Sequence, residues 1–283
     1  MKTSLHGRTV VITGATSGIG RVAARQLAEG GARIVAIARD ARRGEALLAE
    51  LDRSASQDHR LHLADLSLMR ETRRVAAEIA GHEPRIDVLI NNAGALFGRR
   101  IETDEGLELT FATNHMSYFL LSEGLRETLA RSAPARIVNT ASAAHRRVSL
   151  DLDDLQSRKG FRGFTAYSRS KLCNILFTRE QARRLAASGV TANCLHPGFV
   201  ATGFGERSGG AIQHIVRAAK AMLAITPEQG AETLVHLASH PEVAHVSGEY
   251  FDKCAPALAS REARNDALAA RLWHETERLA GLA

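Results

Sequence analysis

Short apolar runs alternate with longer stretches of helical periodicity along almost the whole chain, and this alternation constrains the fold more than any other feature. The runs are rich in Val and Ile and are apolar on both faces. That pattern is typical of strands in a parallel sheet covered by helices on each side. The predicted strands are residues 8–13, 33–38, 60–63, 86–90, 136–139, 190–195 and 248–251.

The stretches between the runs supply the crossover helices that a parallel sheet requires. The predicted helices are residues 20–29, 45–51, 68–80, 106–130, 167–187 and 227–239. Seven parallel strands with these crossovers predict an α/β fold, a Rossmann-type doubly wound sheet in a single domain over residues 1–283. Within it, residues 199–226 are a candidate substrate lid, with an apolar-faced helix at 211–225, and residues 255–283 form a C-terminal helical tail.

A glycine-rich loop, residues 13–20 (TGATSGIG), follows the first predicted strand and leads into a helix. Glycines let backbone amides approach a pyrophosphate, and the N-terminus of the helix favours its negative charge. A flexible turn is the alternative, but the strand–loop–helix context favours a dinucleotide site. Its predicted contacts are Gly14, Thr16, Ser17, Gly18, Ile19 and Gly20.

The end of the second predicted strand bears on the phosphorylation of the cofactor. NAD-dependent enzymes usually carry an acidic residue there, whereas this chain has Ala38 followed by Arg39. A guanidinium can hold a 2′-phosphate with two hydrogen bonds, so NADP is favoured and NAD stays possible. Asp40 complicates this interpretation unless it serves as the N-cap of the next helix.

Tyr167 and Lys171 lie four residues apart at the start of a predicted helix, so both side chains can face one cleft. The ordinary tyrosine pKa, near 10, is too high for proton transfer at neutral pH, and a neighbouring cation lowers it. The spacing alone is common on solvated helix faces. The spacing indicates an active site only together with the other motifs of the chain.

Those motifs are the glycine loop, Asn91-Asn92-Ala93-Gly94, Ser142, the Tyr167–Lys171 pair and Pro197-Gly198. In this order, over roughly residues 6–253, they resemble the short-chain dehydrogenase/reductase family. The stretches 85–94, 113–115, 170–174, 195–198 and 263–281 are similar to its retinol dehydrogenase-like branch, which includes the WW-domain oxidoreductase.

The resemblance implies a role for each matching position. Tyr167 would be the general acid or base, and Lys171 would lower its pKa and bind the nicotinamide ribose. Ser142 would hold the substrate oxygen, and Asn114 would anchor a water in a relay to Lys171. The further implied cofactor contacts are Asp65, Leu66, Asn91, Ala93, Gly94, Pro197, Gly198 and Thr202. Family analogy also implies a homodimer or homotetramer formed through the helices that carry Asn114 and Tyr167.

Two departures from the wider family stand out. The gap from Ser142 to Tyr167 is about twice the common length, which makes residues 146–164 a candidate wall of the substrate pocket. The N-terminal anchor of many membrane-bound members is missing, and no apolar run reaches the roughly 20 residues of a membrane span. We therefore expect a cytoplasmic protein.

Composition excludes other classes of function. The formal charge is +6, but the basic residues are scattered and carry no interleaved aromatic residues, so nucleic-acid binding is not expected. Cys173, Cys194 and Cys254 lack metal-ligand spacing, and no metal site is predicted. His115, His145, His196 and Trp273 are interpreted as structural, and Cys173 as a core residue.

The sequence favours an NADP(H)-dependent oxidoreductase that acts on a carbonyl or alcohol of a small, lipophilic molecule. Two alternatives remain open. One is a catalytically silent NADP-binding sensor or scaffold, because fold alone does not establish activity. The other is a nucleotide-sugar epimerase or dehydratase, which shares the Tyr-x-x-x-Lys spacing but usually has a larger C-terminal lobe.

Overall fold

A computed structural model of the protein describes residues 4–54, 58–198 and 225–282, and within those ranges eight strands form one sheet. The spatial order is β3-β2-β1-β4-β5-β6-β7-β8. The strands are β1 (Thr9–Thr13), β2 (Arg33–Ala38), β3 (Arg60–Leu63), β4 (Val88–Asn91), β5 (Ala135–Thr140), β6 (Val190–His196), β7 (Tyr250–Asp252) and β8 (Ala255–Pro256). All neighbours from β3 to β7 run parallel. The predicted doubly wound α/β fold is confirmed.

The eighth strand is the one described strand that the sequence pattern misses. It has two residues, both exposed, and it pairs antiparallel with β7. The turn before it places Lys253 and Cys254 at φ values of +50° and +62°, as in a two-residue hairpin turn. Because this edge strand is short, exposed and contains Pro256, its sequence has no apolar run that would predict a strand.

Helices cover both faces of the sheet. They are α1 (Gly18–Glu29), α2 (Ala41–Ser54), α3 (Met69–His82), α4 (Leu109–Phe111), α5 (Ser117–Gly124), α6 (Arg126–Arg131), α7 (Gly163–Arg184), α8 (Pro227–Ser239) and α9 (Asp266–Leu279). In β1, Val10 and Ile12 pack with α1 and α8 on one face, while Val11 packs with α3 and α5 on the other. Strands buried on both faces explain the continuous apolar runs of the sequence.

The helix predicted over residues 106–130 is not continuous. A π-helical segment, Ala112–Met116, lies between α4 and α5, and the helix breaks again before α6. Side-chain periodicity marks a helix but not one wider turn within it, so the sequence carries no sign of this irregularity. Asn114 lies in the π-helical segment, a type of turn that often occurs at functional sites.

The C-terminal tail forms α9, which packs along α7. The ring of Trp273 stacks on Phe177 at 5.5 Å and meets Phe119 at 5.1 Å, and the Arg184 guanidinium lies 4.4 Å from the Trp273 ring. From Ser168 to Gln181 every residue of α7 is buried except Arg169 and Arg179. Much of the surface of α7, one of the helices expected from family analogy to form a subunit contact, is therefore covered by the same chain. The oligomeric state itself stays a prediction.

None of the helices in the described part of the chain is long and apolar enough to cross a membrane.

Candidate active site

The carboxyl ends of the parallel strands bring the predicted motifs to one edge of the sheet. The chain leaves β1 toward β2 and β3 on one side, then returns to start β4 on the other side. Loops after β1 and β4 therefore diverge and leave a crevice, which is where doubly wound folds bind ligands. The glycine loop lies on one side of this crevice, and Asn92, Ala93 and Gly94 lie on the other.

Two glycines of the loop are required by close backbone contacts. Gly14 has φ +68°, and a Cβ built on it would lie 2.9 Å from the Ala93 Cα. A Cβ on Gly20 would lie 2.3 Å from the Gly14 carbonyl oxygen. The Thr13 Oγ1 also accepts hydrogen bonds from the Asn92 and Ala93 amides, both at 2.9 Å. The loop is thus packed tightly against the segment after β4 instead of being a flexible turn.

The N-terminus of α1 faces the same crevice. Its N-cap residue is Ser17, an exposed residue whose side chain makes no capping hydrogen bond, and the first turn holds no acidic residue. The first amides of a helix need acceptors, and an anion supplies them while matching the helix dipole. Thr16, Gly18 and Ile19 are partly buried around this terminus.

Arg39 and Asp40 follow β2 and have separate roles. The Asp40 carboxylate accepts the Arg43 amide at 3.1 Å, so it is the N-cap of α2, as proposed from the sequence. Arg39 is exposed and forms no ion pair with the described residues. Asp40 is explained by helix capping, and Arg39 remains available to a ligand.

Asp65 and Leu66 follow β3 at the outer side of the crevice. The Asp65 carboxylate accepts the Ser67 amide at 3.0 Å and the Ser67 hydroxyl at 2.7 Å, which forms a local turn. Leu66 is nearly buried, with 9% of its surface exposed. The side chain of Asp65 therefore fixes the turn, and its predicted contact with the cofactor stays a prediction.

The residues after β4 differ in what they present. The Asn91 side chain points into the sheet, where its Nδ2 donates to Asn139 at 2.9 Å and to Ser122 at 3.1 Å. Gly94 is exposed, and a Cβ on it would lie 3.4 Å from both the Asn114 Oδ1 and the Lys171 Nζ. Gly94 thus lies where the crevice meets the predicted catalytic groups.

Ser142 and Tyr167 are brought together from β5 and α7. Ser142 follows β5, and its Oγ accepts the Ala144 amide at 3.2 Å, so it also caps the 3₁₀ turn Ala143–Arg147. Burial raises the pKa of Tyr167 from 10.0 to about 12, and a hydrogen bond with Ser142 lowers it in part. Helix α7 begins at Gly163, four residues before the predicted start, so Tyr167 lies one turn inside it.

Lys171 lies one turn further along α7 and is 3% exposed. Its Nζ donates to the Thr140 carbonyl at 2.9 Å and lies 5.8 Å from the centre of the Tyr167 ring. Burial lowers the pKa of Lys171 from 10.5 to about 7. The expected decrease of the Tyr167 pKa is therefore not produced by these two groups alone, because burial disfavours the phenolate and also the ammonium that would stabilise it.

Asn114 holds the segment after β4 against α7. Its Oδ1 accepts the Ala95 amide at 2.8 Å, and its Nδ2 donates to the Ala95 carbonyl and the Ser170 hydroxyl, both at 2.9 Å. These contacts use both Nδ2 hydrogens and one lone pair of Oδ1. Any further hydrogen bond made by the Asn114 side chain must therefore be accepted by Oδ1.

These groups fit a dinucleotide. A primary ammonium has three donors, and the Lys171 Nζ uses one of them on the described chain. The uncapped terminus of α1 and the unpaired Arg39 match the phosphates at the other end of such a molecule. A nicotinamide ribose would be held by Lys171 and the pyrophosphate by the glycine loop.

Pro197 and Gly198 follow β6 and are partly buried, with Gly198 at φ +84°. They end the described segment at the same edge of the sheet. Thr202 and most of the lid predicted over residues 199–226 lie outside the described residues.

His115 and His145, near the site, are held by structural contacts. His115 is fully buried between Thr276 at 3.0 Å and Asn174 at 3.4 Å, and burial lowers its pKa to about 4. His145 accepts the Ser260 amide at its Nε2, at 3.1 Å, so its Nδ1 carries the proton and donates to the Ser142 carbonyl at 2.6 Å. Burial also lowers the pKa of His145.

A cavity of about 760 Å³ lies beside this histidine, between two segments of the chain. Arg146 and Val148 belong to the long segment between Ser142 and Tyr167, and a role of that segment as a wall of the substrate pocket stays a prediction. The other wall comes from the C-terminal tail and includes Arg261 and Arg264. Nothing in the sequence connects these two segments, because more than a hundred residues separate them.

The core predictions for Cys173 and Trp273 agree with the structure. Both side chains are buried, and burial raises the pKa of Cys173, so its thiol is not activated. In the ranges that the structure describes, no group of three or more His, Cys, Asp or Glu residues could hold a metal ion.

Comparison with known proteins gives consistent matches. The model of the short chain dehydrogenase family matches residues 8–211. Human retinol dehydrogenase 14 is 39% identical in an alignment that covers 98% of this chain and 88% of that protein. Human retinol dehydrogenase 13 is 40% identical in an alignment that covers 99% of this chain and 87% of that protein.

Solved structures agree in fold over most of the chain. An uncharacterized protein from Mycobacterium paratuberculosis has a TM-score of 0.78 at 31% identity, covering 99% of this chain and 95% of its own. A short chain dehydrogenase from Burkholderia cenocepacia, solved in complex with NADP, has a TM-score of 0.70 at 25% identity. That match covers 87% of this chain and 96% of the other.

Proposed function

The chain belongs to the short-chain dehydrogenase family, and from this premise we propose that it is an NADP(H)-dependent oxidoreductase acting on a carbonyl or alcohol group. The observation that carries the proposal is the meeting of Tyr167, Ser142 and Lys171 beside Gly94, at the end of the crevice that the glycine loop opens. A hydroxyl donor and an ammonium at this place suit proton transfer next to a bound nicotinamide.

When bound, the coenzyme supplies or accepts a hydride. In the reductive direction the Tyr167 hydroxyl donates a proton to the substrate oxygen, and in the oxidative direction its phenolate removes one. The Ser142 hydroxyl donates a hydrogen bond to the same oxygen, where negative charge develops. Burial keeps Tyr167 protonated at neutral pH, which favours its role as the acid.

Lys171 and Asn114 support the proton transfer. The Lys171 ammonium stabilises the tyrosine phenolate when that form appears, and its free donors bind the ribose. Because both Nδ2 hydrogens of Asn114 are bonded to Ala95 and Ser170, a relay water would be held by an acceptor oxygen of Asn114, either its Oδ1 or its main-chain carbonyl. The π-helical turn around Asn114 supports this part of the proposal.

The preference for NADP over NAD is proposed from Arg39. It follows β2 directly, is exposed and has no acidic partner in the described chain, and Asp40 is occupied as a helix cap. A guanidinium there favours a 2′-phosphate, whereas a free carboxylate would repel it. The NADP bound to the Burkholderia relative is consistent with this choice.

We further propose a substrate with a lipophilic part. Phe164 is 53% exposed at the first turn of α7, and its ring centre lies 6.3 Å from that of Tyr167. An exposed aromatic ring beside the catalytic hydroxyl would bury apolar substrate surface. The relatives named retinol dehydrogenases make a lipophilic alcohol a reasonable test compound.

The test is the variant Tyr167→Phe, assayed with NADPH against a panel of retinoids, aliphatic aldehydes, steroids and aromatic ketones. Turnover should fall about a thousandfold, while the affinity for NADPH stays nearly the same. Ser168→Ala is the matched control. It removes a hydroxyl from the same helix, and that hydroxyl donates only to the Phe164 carbonyl among the hydrogen bonds described. Unchanged turnover in Tyr167→Phe would refute the assignment.

No observation favours a silent coenzyme sensor over an enzyme. A cytoplasmic setting fits the three free cysteines, since reducing compartments keep thiols unpaired. A homodimer or homotetramer, formed through the helices that carry Asn114 and Tyr167, stays a prediction from family analogy.

A further inference from the structure

We propose that the cavity beside His145 binds an anionic group, a carboxylate or a phosphate, at the end of the substrate remote from its carbonyl. This inference rests on the proposed function, because it concerns the substrate of the same site. The substrate, proposed above to have a lipophilic part, would also carry a charged end. The cavity, of about 760 Å³, is large enough for such a group.

The charge of the cavity wall is the first argument. Arg146 lies on one side, and Arg261 and Arg264 lie on the other. The Arg146 Nη2 donates to the Leu258 carbonyl at 2.7 Å, and the Arg264 Nε donates to the Ala259 carbonyl at 3.2 Å. Backbone carbonyls orient these two guanidiniums, and no described carboxylate lies within ion-pair distance of either.

The nearby carboxylates form no ion pair with these arginines in the described ranges, and the three arginines outnumber the one carboxylate of the cavity wall. Glu262 lines the cavity, but its Oε1 accepts the Leu150 amide at 2.7 Å. Asp266, at the start of α9, binds Arg179 at 2.8 Å. Arg146, Arg261 and Arg264 form no ion pair with any residue in the described ranges. A carboxylate or phosphate is the chemical group that guanidiniums bind with two parallel hydrogen bonds.

The link to the catalytic serine is the second argument. Ser260 lines the cavity, and its amide donates to the His145 Nε2 at 3.1 Å. The His145 Nδ1 donates to the Ser142 carbonyl at 2.6 Å. One buried imidazole ring therefore joins Ser260 in the cavity wall to the main chain of Ser142, and in the proposal the substrate extends past this ring from the cavity to the catalytic groups.

The remaining surface fits the apolar part of such a molecule. Val148 lines the cavity, and the Leu258 side chain is 68% exposed next to the carbonyl that Arg146 binds. An aliphatic aldehyde or ketone with an acidic group at its far end would contact both kinds of surface. Its carbonyl would then be the reacting group at Tyr167.

The test compares 9-oxononanoate with nonanal, two aldehydes that differ in the terminal carboxylate. Wild-type protein with NADPH should prefer 9-oxononanoate by at least tenfold in kcat/KM. In Arg261→Ala combined with Arg264→Ala, that ratio should fall below about threefold while the value for nonanal is retained. Arg271→Ala removes an exposed charge from α9 outside the cavity and should keep the preference. Raising the ionic strength should also reduce the ratio.

Calorimetric titration of glutarate and of inorganic phosphate at saturating NADPH tests binding without turnover. The double variant should weaken binding at least tenfold, and the two anions show whether a carboxylate or a phosphate is preferred. A wild-type kcat/KM ratio near one, a ratio retained by the double variant, or equal anion binding by both proteins would overturn the proposal. Absence of turnover with every carbonyl would instead refute the proposed function, and the titration would still decide about the cavity.

Discussion

Replacing Lys171 with methionine is expected to make the coenzyme-free protein more stable while abolishing its activity. Burial lowers the pKa of Lys171 from 10.5 to about 7. At about 1.4 kcal/mol per pKa unit, this difference corresponds to a cost on the order of 5 kcal/mol for keeping the ammonium charged in the folded protein. Methionine has a similar length and carries no charge. The Thr140 carbonyl keeps a partner, because the Asn174 Nδ2 also donates to it at 3.2 Å.

The pH dependence follows from the sign of the shift. Below pH 7 Lys171 is charged in both the folded and the unfolded protein, so the full cost is present. Between pH 7 and 10.5 the unfolded chain binds more protons, and wild-type stability rises with pH relative to the variant. The advantage of Lys171→Met should therefore decrease by about 1.4 kcal/mol per pH unit and vanish near pH 10.5.

Urea unfolding at pH 6, 8 and 10 measures this difference. The expected advantage of Lys171→Met is about 3 to 5 kcal/mol at pH 6 and close to zero at pH 10. Lys159→Met is the control, since Lys159 is exposed and its replacement should change little at any pH. A variant that is less stable than wild type at pH 6, or a difference that does not vary with pH, would refute the reasoning.

Three further predictions concern the coenzyme end and the C-terminal helix. Arg39→Asp should weaken NADPH at least tenfold more than NADH in fluorescence titrations, with Arg39→Lys intermediate; equal losses would exclude a 2′-phosphate contact. Gly20→Ala should reduce the affinity for NADPH at least tenfold, because the new Cβ would lie 2.3 Å from the Gly14 carbonyl oxygen. Gly81→Ala is its control and should leave the affinity unchanged, because the space around the new Cβ is open. Trp273→Ala should lower the free energy of unfolding by about 3 to 5 kcal/mol in urea, and a loss below about 1 kcal/mol would contradict its packing role.

The parts of the fold that recur with a regular period were predictable from the sequence. Strands buried on both faces give continuous apolar runs, and amphipathic helices give three- and four-residue steps. The glycine loop was predictable as well. Gly14 has a positive φ, and Gly20 packs against the Gly14 carbonyl, so both positions require glycine. By contrast, the π-helical segment at Asn114 changes only the hydrogen-bond pattern, and β8 is too short to form a pattern.

The electrostatics of the site required the three-dimensional structure. The spacing of Tyr167 and Lys171 suggested a tyrosine with a lowered pKa. Burial instead raises the pKa of Tyr167, and it lowers the pKa of the Lys171 ammonium that would stabilise the phenolate. Likewise, Arg146 and Arg264 are ordinary surface arginines in the sequence and become walls of one cavity only through folding. Charge and burial depend on residues far apart in the chain, which local patterns do not encode.

The packing of α9 along α7 has a consequence for how the protein would behave on dilution. In an assembly whose catalytic helix is completed by a second copy, the active fraction falls as subunits separate at low concentration. Here Trp273, Phe177 and Phe119 supply that support from within one chain. Activity per molecule should then be the same at nanomolar and at micromolar protein concentration, because the packing that supports the catalytic helix lies within each chain.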